Sequence, residues 1–183
     1  IVGGMEVEIP DTGMIQVEVA MIALRTPAMF HAEQERFRRN DPLGFEQRLI
    51  SAYRTQGDMS YQRWGTSDLY FSIIGTAADT ARVVQGDHVT ISYNGQRMED
   101  GFMFDDTDRN GEPLSFRFGD KDQVIQGLEV AVSLLREGQS GSFLFPSAFA
   151  FGAKGVPNVV DPFTPVVYEV RLEKVYRGVR AAR

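Results

Sequence analysis

Hydrophobic and polar residues alternate early in the chain, where residues 14–24 carry apolar side chains at every second position. Such alternation predicts a strand. Thr26-Pro27 and Asp41-Pro42 each place a side chain that can cap a helix directly before a proline, an order typical of a helix start. We therefore predict one strand followed by two helices, or by one helix with a kink at Pro42.

The rest of the chain has the pattern of short strands around a single helix. Apolar residues recur at helical spacing in residues 122–135. The segments with strand-like patterns are residues 69–74, 87–93, 114–118, 140–145 and 166–175. Together these elements predict an α+β fold, in which an antiparallel sheet of five to six strands packs on one short helix.

The composition limits the chemistry that this chain can perform. Its 183 residues contain no cysteine, which excludes disulfides, cysteine-ligated zinc or iron–sulfur sites and a thiol nucleophile. Two histidines are too few for a multi-histidine metal site. The formal net charge of −6 argues against nucleic acid as a partner, and no segment reaches the roughly 18–20 apolar residues that span a bilayer.

One acidic loop resembles part of a metal site. Asp106, Asp108, Asn110 and Gly111 have the spacing of the first half of a calcium-binding EF-hand loop. The glutamate that closes such a loop would fall at Arg117, within a predicted strand. We therefore predict neither a metal nor a cofactor, and we interpret the loop as solvent-exposed.

Four segments, in order and with consistent spacing, resemble the FKBP-type peptidyl-prolyl cis-trans isomerases. They are GDHVTISYNG at residues 86–95, DGFMFD at 100–105, PLSFRFG and QVIQGLE within 113–129, and FPS, AFG, GVP and TPVVYEV within 145–170. The resemblance covers about residues 66–176 and implies the FKBP-like sheet wrapped on one short helix. We expect an N-terminal extension at residues 1–65, an isomerase domain at 66–177 and a short tail at 178–183.

An isomerase of this family would accelerate the rotation of X–Pro peptide bonds in folding polypeptides. That rotation takes about tens to hundreds of seconds, because amide resonance opposes it with a barrier of ~18–20 kcal/mol. An enzyme can lower the barrier without covalent chemistry if a dry, apolar pocket binds the twisted amide better than either planar form. The aromatic residues of this chain suit such a pocket, although their pattern alone is equally typical of a hydrophobic core.

The resemblance also implies which residues form the pocket. Asp105 would be the carboxylate that faces it, orienting Tyr93 or polarising the bound segment, with Arg109 as its charge partner. The backbone N–H of Ile125 would donate to a substrate carbonyl. The residues expected to act in catalysis are Asp105, Tyr93, Phe104, Ile125, Phe151 and Tyr168. Those expected to bind the substrate are Leu114, Phe116, Val124, Leu128, Val159, Val160 and Arg109.

Three positions depart from the family pattern. Leu128 replaces the tryptophan that is common at the pocket floor, Phe151 replaces a tyrosine, and Val156 replaces a histidine at the loop tip. We expect proline-containing, unfolded or partly folded polypeptides as partners, and weakened binding of rapamycin-like macrolides. The alternative is an FKBP-fold chaperone or binding module with little catalysis.

The segment before the isomerase domain carries a second resemblance. Residues 45–64 are similar to the helical N-terminal extension of FKBP-type lipoproteins from Bacteroidetes-like bacteria. This implies a periplasmic protein, or a lipoprotein anchored to the outer membrane after its signal is removed; a cytoplasmic protein is the alternative. The other interpretation of residues 1–65 is a client-binding module or a dimerisation module, which would make a homodimer.

The predicted strand at residues 140–145 indicates where the extension docks. We expect Phe143 and Phe145 to lie on the outer, normally solvated face of the sheet, opposite to Leu144. Exposed phenylalanines on a strand require a cover. We therefore predict that the helix at residues 45–53, or a second subunit, packs on them.

Overall fold

The computed structural model describes residues 26–56, 59–77 and 81–177. The strand predicted at residues 14–24 lies outside the described residues. The chain divides into two compact units, residues 1–35 and residues 36–183, and the tertiary packing described below belongs to the second unit.

Two helices precede the sheet. α1 spans Pro27–Asn40 and α2 spans Pro42–Thr55. Thr26 Oγ1 accepts a backbone N–H of the first turn of α1 at 3.2 Å, and Asp41 Oδ1 accepts the N–H of Gly44 at 2.9 Å. Each helix therefore begins at its predicted capping residue, and the non-helical backbone of Asp41 makes them two helices rather than one kinked helix.

A seven-stranded sheet with antiparallel pairing forms most of the remaining structure. Its strands are β1 Gln62–Arg63, β2 Tyr70–Ile74, β3 His88–Arg97, β4 Met103–Asp106, β5 Leu114–Arg117, β6 Ser140–Phe145 and β7 Val166–Tyr176. They lie in the order β1-β2-β6-β7-β3-β4, and β5 pairs with the first half of β3. The five predicted strands are confirmed as β2, β3, β5, β6 and β7, while β1 and β4 are short strands that the pattern does not predict.

One of the short helices packs against the sheet. The helical elements after β4 are α3 Thr107–Asn110, α4 Gln126–Leu134 and a 3₁₀ turn at Ser147–Phe149. α4 confirms the helix predicted at residues 122–135, but it begins later. A Cβ atom at Gly127 would lie 2.6 Å from the Phe145 ring, so the close approach of α4 to β6 requires glycine there. The face of the sheet that α4 covers is called the inner face below.

Phe143 and Phe145 lie on this inner face, within the main hydrophobic core that also contains Tyr168. The prediction that they lie on the outer face is therefore wrong. The pattern did not distinguish the two faces, because β6 is buried on both sides and Leu144 is as fully buried as the two phenylalanines. Leu144 forms a smaller core on the outer face with Ile50 of α2. The extension thus covers the outer face, as predicted, but on different residues.

Candidate active site

The apolar residues implied for the pocket lie together in the structure. They come from β3, β4, β5, the beginning of α4, β7 and the loop between β6 and β7. All of them belong to the main core or pack against it: Tyr93, Phe104, Leu114, Phe116, Val124, Ile125, Leu128, Phe151, Val159, Val160 and Tyr168. These residues define the candidate pocket, and the fold brings them together from distant parts of the sequence.

Tyr168 is the centre of an aromatic group at this pocket. Its ring centroid lies 5.5 Å from that of Tyr93 and 5.9 Å from that of Phe104, and Phe104 meets Phe151 edge to face at 5.6 Å. The Tyr168 ring covers Gly95, where a Cβ atom would lie 2.7 Å from Tyr168 Cζ. A glycine inside a strand is the sequence signal for such a close approach. Tyr168 is buried, whereas the other three rings are half-buried and leave apolar surface for a ligand.

Asp105 is the carboxylate beside this aromatic group. Tyr93 Oη donates to Asp105 Oδ2 at 2.8 Å, and Asn110 Nδ2 donates to Asp105 Oδ1 at 3.3 Å. Burial and the hydrogen bond to Asp105 raise the pKa of Tyr93, while burial and the nearby Asp105 charge raise the pKa of Tyr168. Both phenols are therefore protonated at neutral pH, and Asp105 holds Tyr93 in one orientation.

Arg109 does not have the partner that the resemblance implies. Its Nε atom lies 3.8 Å from Asp106 Oδ2, and its side chain is 71% exposed. The predicted ion pair with Asp105 is therefore wrong, and Asn110 supplies the second hydrogen bond to that carboxylate. In the single turn of α3, Asn110 comes back towards Asp105 while Arg109 points to solvent, a distinction that spacing along a loop does not reveal.

Ile125 lies directly before α4, with a half-buried side chain at the pocket. Its carbonyl accepts the N–H groups of Leu128 and Glu129 at 3.0 and 3.4 Å. Among the hydrogen bonds of the described residues, none uses the Ile125 N–H as donor. The resemblance implies that this N–H contacts a substrate carbonyl.

The loop between β6 and β7 is shaped by its own hydrogen bonds. Val156 N–H donates to Val160 O at 2.7 Å, and Val160 N–H donates to Val156 O at 2.9 Å. Gly155 has a φ of +62°, and a Cβ atom there would collide with the Val160 carbonyl, so glycine is required. Arg97 Nη1 donates to Val159 O at 3.2 Å and joins the loop to the end of β3.

The described residues form neither a metal site nor a membrane-spanning helix. In the part of the chain that the structure describes, no group of three or more His, Cys, Asp or Glu side chains is arranged to hold a metal ion. The acidic loop instead forms α3, with Asp106 Oδ1 accepting the N–H of Asp108 at 2.9 Å. Over residues 26–56, 59–77 and 81–177, no helix is both long and apolar enough to cross a membrane.

Residues 79–173 match the sequence model of the family described as FKBP-type peptidyl-prolyl cis-trans isomerase. Because this match covers more than half of the chain, the chain belongs to that family. It is 33% identical over 94 residues to peptidyl-prolyl cis-trans isomerase FPR2 of Saccharomyces cerevisiae, spanning 51% of this chain and 69% of the yeast protein. It is 37% identical over 89 residues to the probable FKBP-type isomerase FkpA of Neisseria meningitidis, spanning 49% of this chain and 31% of that protein.

Solved structures share the fold. A peptidyl-prolyl cis-trans isomerase from Pseudomonas syringae superimposes with a TM-score of 0.61 at 25% identity, covering 75% of this chain and 96% of that one. FkpA from Escherichia coli gives a TM-score of 0.63 at 23% identity, covering 81% of this chain and 65% of that one. At the latter identity the likeness establishes the fold alone. α1 and α2 lie outside the residues that match the family model.

Proposed function

We propose that the chain accelerates cis-trans isomerisation of X–Pro bonds in unfolded or partly folded polypeptides, at the aromatic pocket beside Asp105. The observation that carries this proposal is the 2.8 Å hydrogen bond from Tyr93 to Asp105 next to the rings of Tyr168 and Phe104. Membership of the isomerase family supports the reaction, and the shared position of the implied pocket residues supports their roles.

The pocket would act by binding the twisted amide better than either planar form. Walls from Phe104, Phe151 and Tyr168 exclude water from the proline ring and the amide. The Ile125 N–H would hold a neighbouring substrate carbonyl, so that only the X–Pro bond rotates. Each tenfold acceleration needs about 1.4 kcal/mol of preference for the twisted amide, and a thousandfold acceleration needs about 4 kcal/mol.

A second candidate function is a chaperone or binding module with the same fold and little catalysis. Phe151 lacks a hydroxyl group, and the pocket floor is the buried aliphatic Leu128, so a ligand meets few polar groups here. For the same reason we propose that rapamycin-like macrolides bind weakly. The two candidates differ in whether an X–Pro peptide is turned over at the pocket.

We also propose that the protein works in the periplasm, either free or as an outer-membrane lipoprotein. The resemblance of residues 45–64 to the extension of bacterial FKBP-type lipoproteins supports this location. The similarity to the probable FkpA of Neisseria meningitidis agrees with a bacterial isomerase that carries an N-terminal region. Cell fractionation distinguishes this location from the cytoplasmic alternative.

Replacement of Asp105 tests the proposed catalysis. Asp105→Ala removes the acceptor that orients Tyr93, so we expect kcat/KM for a Leu-Pro peptide to fall about tenfold or more in a protease-coupled assay. The matched control is Asp108→Ala, an exposed aspartate in α3, which should keep kcat/KM within about twofold.

The outcomes of this assay separate the two candidates. Full activity in Asp105→Ala would contradict the assigned role of the carboxylate. A wild-type protein that works only at the background rate, yet still suppresses aggregation of an unfolded client, would show that the chain is a chaperone or binding module.

A further inference from the structure

Glu46, in the second turn of α2, is a buried carboxylate that the isomerase pocket does not use. Its side chain is only 4% exposed. Burial raises the pKa of Glu46, and hydrogen bonds from the backbone and side chain of Ser147 oppose that shift. A buried carboxylate is costly unless it is fully hydrogen-bonded, and an apolar side chain would fill the same space at lower cost. The contacts of Glu46 therefore need an explanation beyond packing.

Both oxygens of Glu46 accept from one residue. Ser147 Oγ donates to Glu46 Oε2 at 2.9 Å, and the backbone N–H of Ser147 donates to Glu46 Oε1. The two residues are far apart in the sequence, with Glu46 in α2 and Ser147 at the start of the 3₁₀ turn after β6. This contact joins α2 to the loop that carries Phe151.

Ser147 in turn binds the backbone on both sides of Phe151. The Ser147 carbonyl accepts the N–H of Ala150 at 2.9 Å and the N–H of Gly152 at 2.8 Å. Phe151 lies between these two donors, so its backbone is held on both sides by Ser147. The ring of Phe151 then meets Phe104 edge to face at 5.6 Å, at the pocket.

The turn is held by packing as well as by hydrogen bonds. Phe149 meets Trp64 edge to face at 5.7 Å and packs against the main core. Glu46 and Ser147 also line a groove of about 270 Å³, with residues of α2, of the turn and of the segment before β2, including Asp68. This open volume leaves Ser147 room to shift when its hydrogen bonds to Glu46 are lost.

A second contact joins the other end of the same loop to α1. Arg38 Nη1 lies 3.4 Å from Asp161 Oδ2, and Arg38 also forms an ion pair with Glu99 in the turn after β3. Asp161 follows Val160, whose backbone closes the loop on Val156. The helices before the sheet thus contact the loop near both of its ends.

We infer that Glu46 is a positioning residue for the isomerase site: by holding Ser147, it sets where Phe151 lies over the pocket. The inference rests on the proposed function, because it concerns the same pocket. Glu46 does not touch the substrate. It makes α2 part of the substrate-binding apparatus, and its loss should alter substrate binding more than turnover.

Substitutions at Glu46 in the full chain test this inference. Glu46→Leu keeps the volume but removes both acceptors, so we expect KM for an X–Pro peptide to rise about five- to tenfold with kcat changed less than about twofold. Glu46→Gln keeps one acceptor oxygen for the Ser147 N–H and an amide group opposite Ser147 Oγ, so KM should stay within about twofold of wild type. The control Gln47→Leu, on an exposed position of the same helix, should leave KM unchanged.

Urea unfolding of each variant separates positioning from stability. A Glu46→Leu protein that unfolds more easily but keeps the wild-type KM would overturn the inference, because Glu46 would then serve stability alone. If that variant does not fold, Ser147→Ala decides: KM raised about two- to threefold supports the inference, and a wild-type KM overturns it. A wild-type protein without isomerase activity would instead refute the proposed function, and the inference with it.

Discussion

Tyr93 and Asp105 form one hydrogen-bonded polar pair at a pocket whose other implied residues, apart from Tyr168 and Arg109, are apolar. An unpaired buried polar group costs about 1–3 kcal/mol. Because Tyr93 and Asp105 satisfy each other, the pocket can accept a proline ring and an apolar side chain without leaving either polar group unpaired. The raised pKa of Tyr93 keeps its proton on the phenol through the neutral range, which preserves this pair.

Phe151→Tyr tests the effect of the missing hydroxyl. The resemblance implies a tyrosine at this position whose hydroxyl bonds the ligand, and one such bond contributes about 0.5–1.5 kcal/mol. We expect the Kd for a rapamycin-like macrolide, measured by calorimetric titration, to fall about three- to tenfold. Phe102→Tyr, at a 50% exposed position in the turn after β3, is the matched control and should leave the Kd unchanged. Equal affinities of Phe151→Tyr and wild type would contradict this explanation.

For individual residues, the sequence predicted which side chains lie near the pocket but not every hydrogen bond or ion pair between them. The apolar residues implied by the family motifs do lie together, since the motifs fix their strands and the strands fix their faces. The hydrogen-bond partner of Asp105 was not predicted correctly because Arg109 and Asn110 are neighbours in the sequence. The geometry of the single turn of α3 decides which of the two side chains faces Asp105. Glu46 gave no signal, because a charged residue on an amphipathic helix is normally solvent-exposed.

α2 is the element that buries the outer face of the sheet. On the outer face, its residue Ile50 packs with Leu144 of β6, Val167 of β7 and Met98. Leu144 and Val167 are paired across the two strands, so they form one apolar surface for the helix. Without α2 this surface would be exposed to water on the central strands of the sheet.

Ile50→Ala tests this role of α2. Ile50 is 3% exposed, so truncation should lower the free energy of unfolding by about 2–5 kcal/mol in urea titration. Leu43→Ala removes a similar side chain from the same helix, but Leu43 is 58% exposed and its loss should cost less than about 0.5 kcal/mol. Equal effects of the two substitutions would show that α2 does not cover the sheet in solution.

Helices and strands were predictable where the pattern of apolar and polar residues was long, or where a capping residue marked the start. The alternation in residues 166–175 predicted β7, and the capping residues predicted the starts of α1 and α2. β1 has two residues and β4 has four, which is too short for a period to be visible. In β6 both faces are buried, so alternation could not show which face Phe143 and Phe145 occupy.

Within residues 36–183, specific contacts join the isomerase fold to α2 and to the last residues of α1. Residues 36–183 form one compact unit, which includes α2 together with the whole sheet. Within that unit, Glu46 and Arg38 contact the loop at the pocket, and Ile50 contacts the opposite face of the sheet. We therefore expect the properties of the pocket to depend on α2 and Arg38, and not on residues 66–177 alone.

The fold was predictable because four motifs with consistent spacing specify one arrangement of strands and α4. The role of the extension was only partly predictable. An apolar helix face indicates that something is covered, but the pairing of Ile50 with Leu144 depends on tertiary geometry that periodicity does not contain.

The most direct test of the proposed isomerase site is the rate of cis-trans exchange of a Leu-Pro peptide with catalytic amounts of the full chain, followed by NMR exchange spectroscopy. The uncatalysed bond exchanges in about tens to hundreds of seconds. We expect exchange within about a second in the presence of the wild-type protein, and loss of most of this acceleration in Asp105→Ala. An exchange rate equal to that of the peptide alone, with the wild-type chain folded, would contradict the assignment of this pocket as an isomerase site.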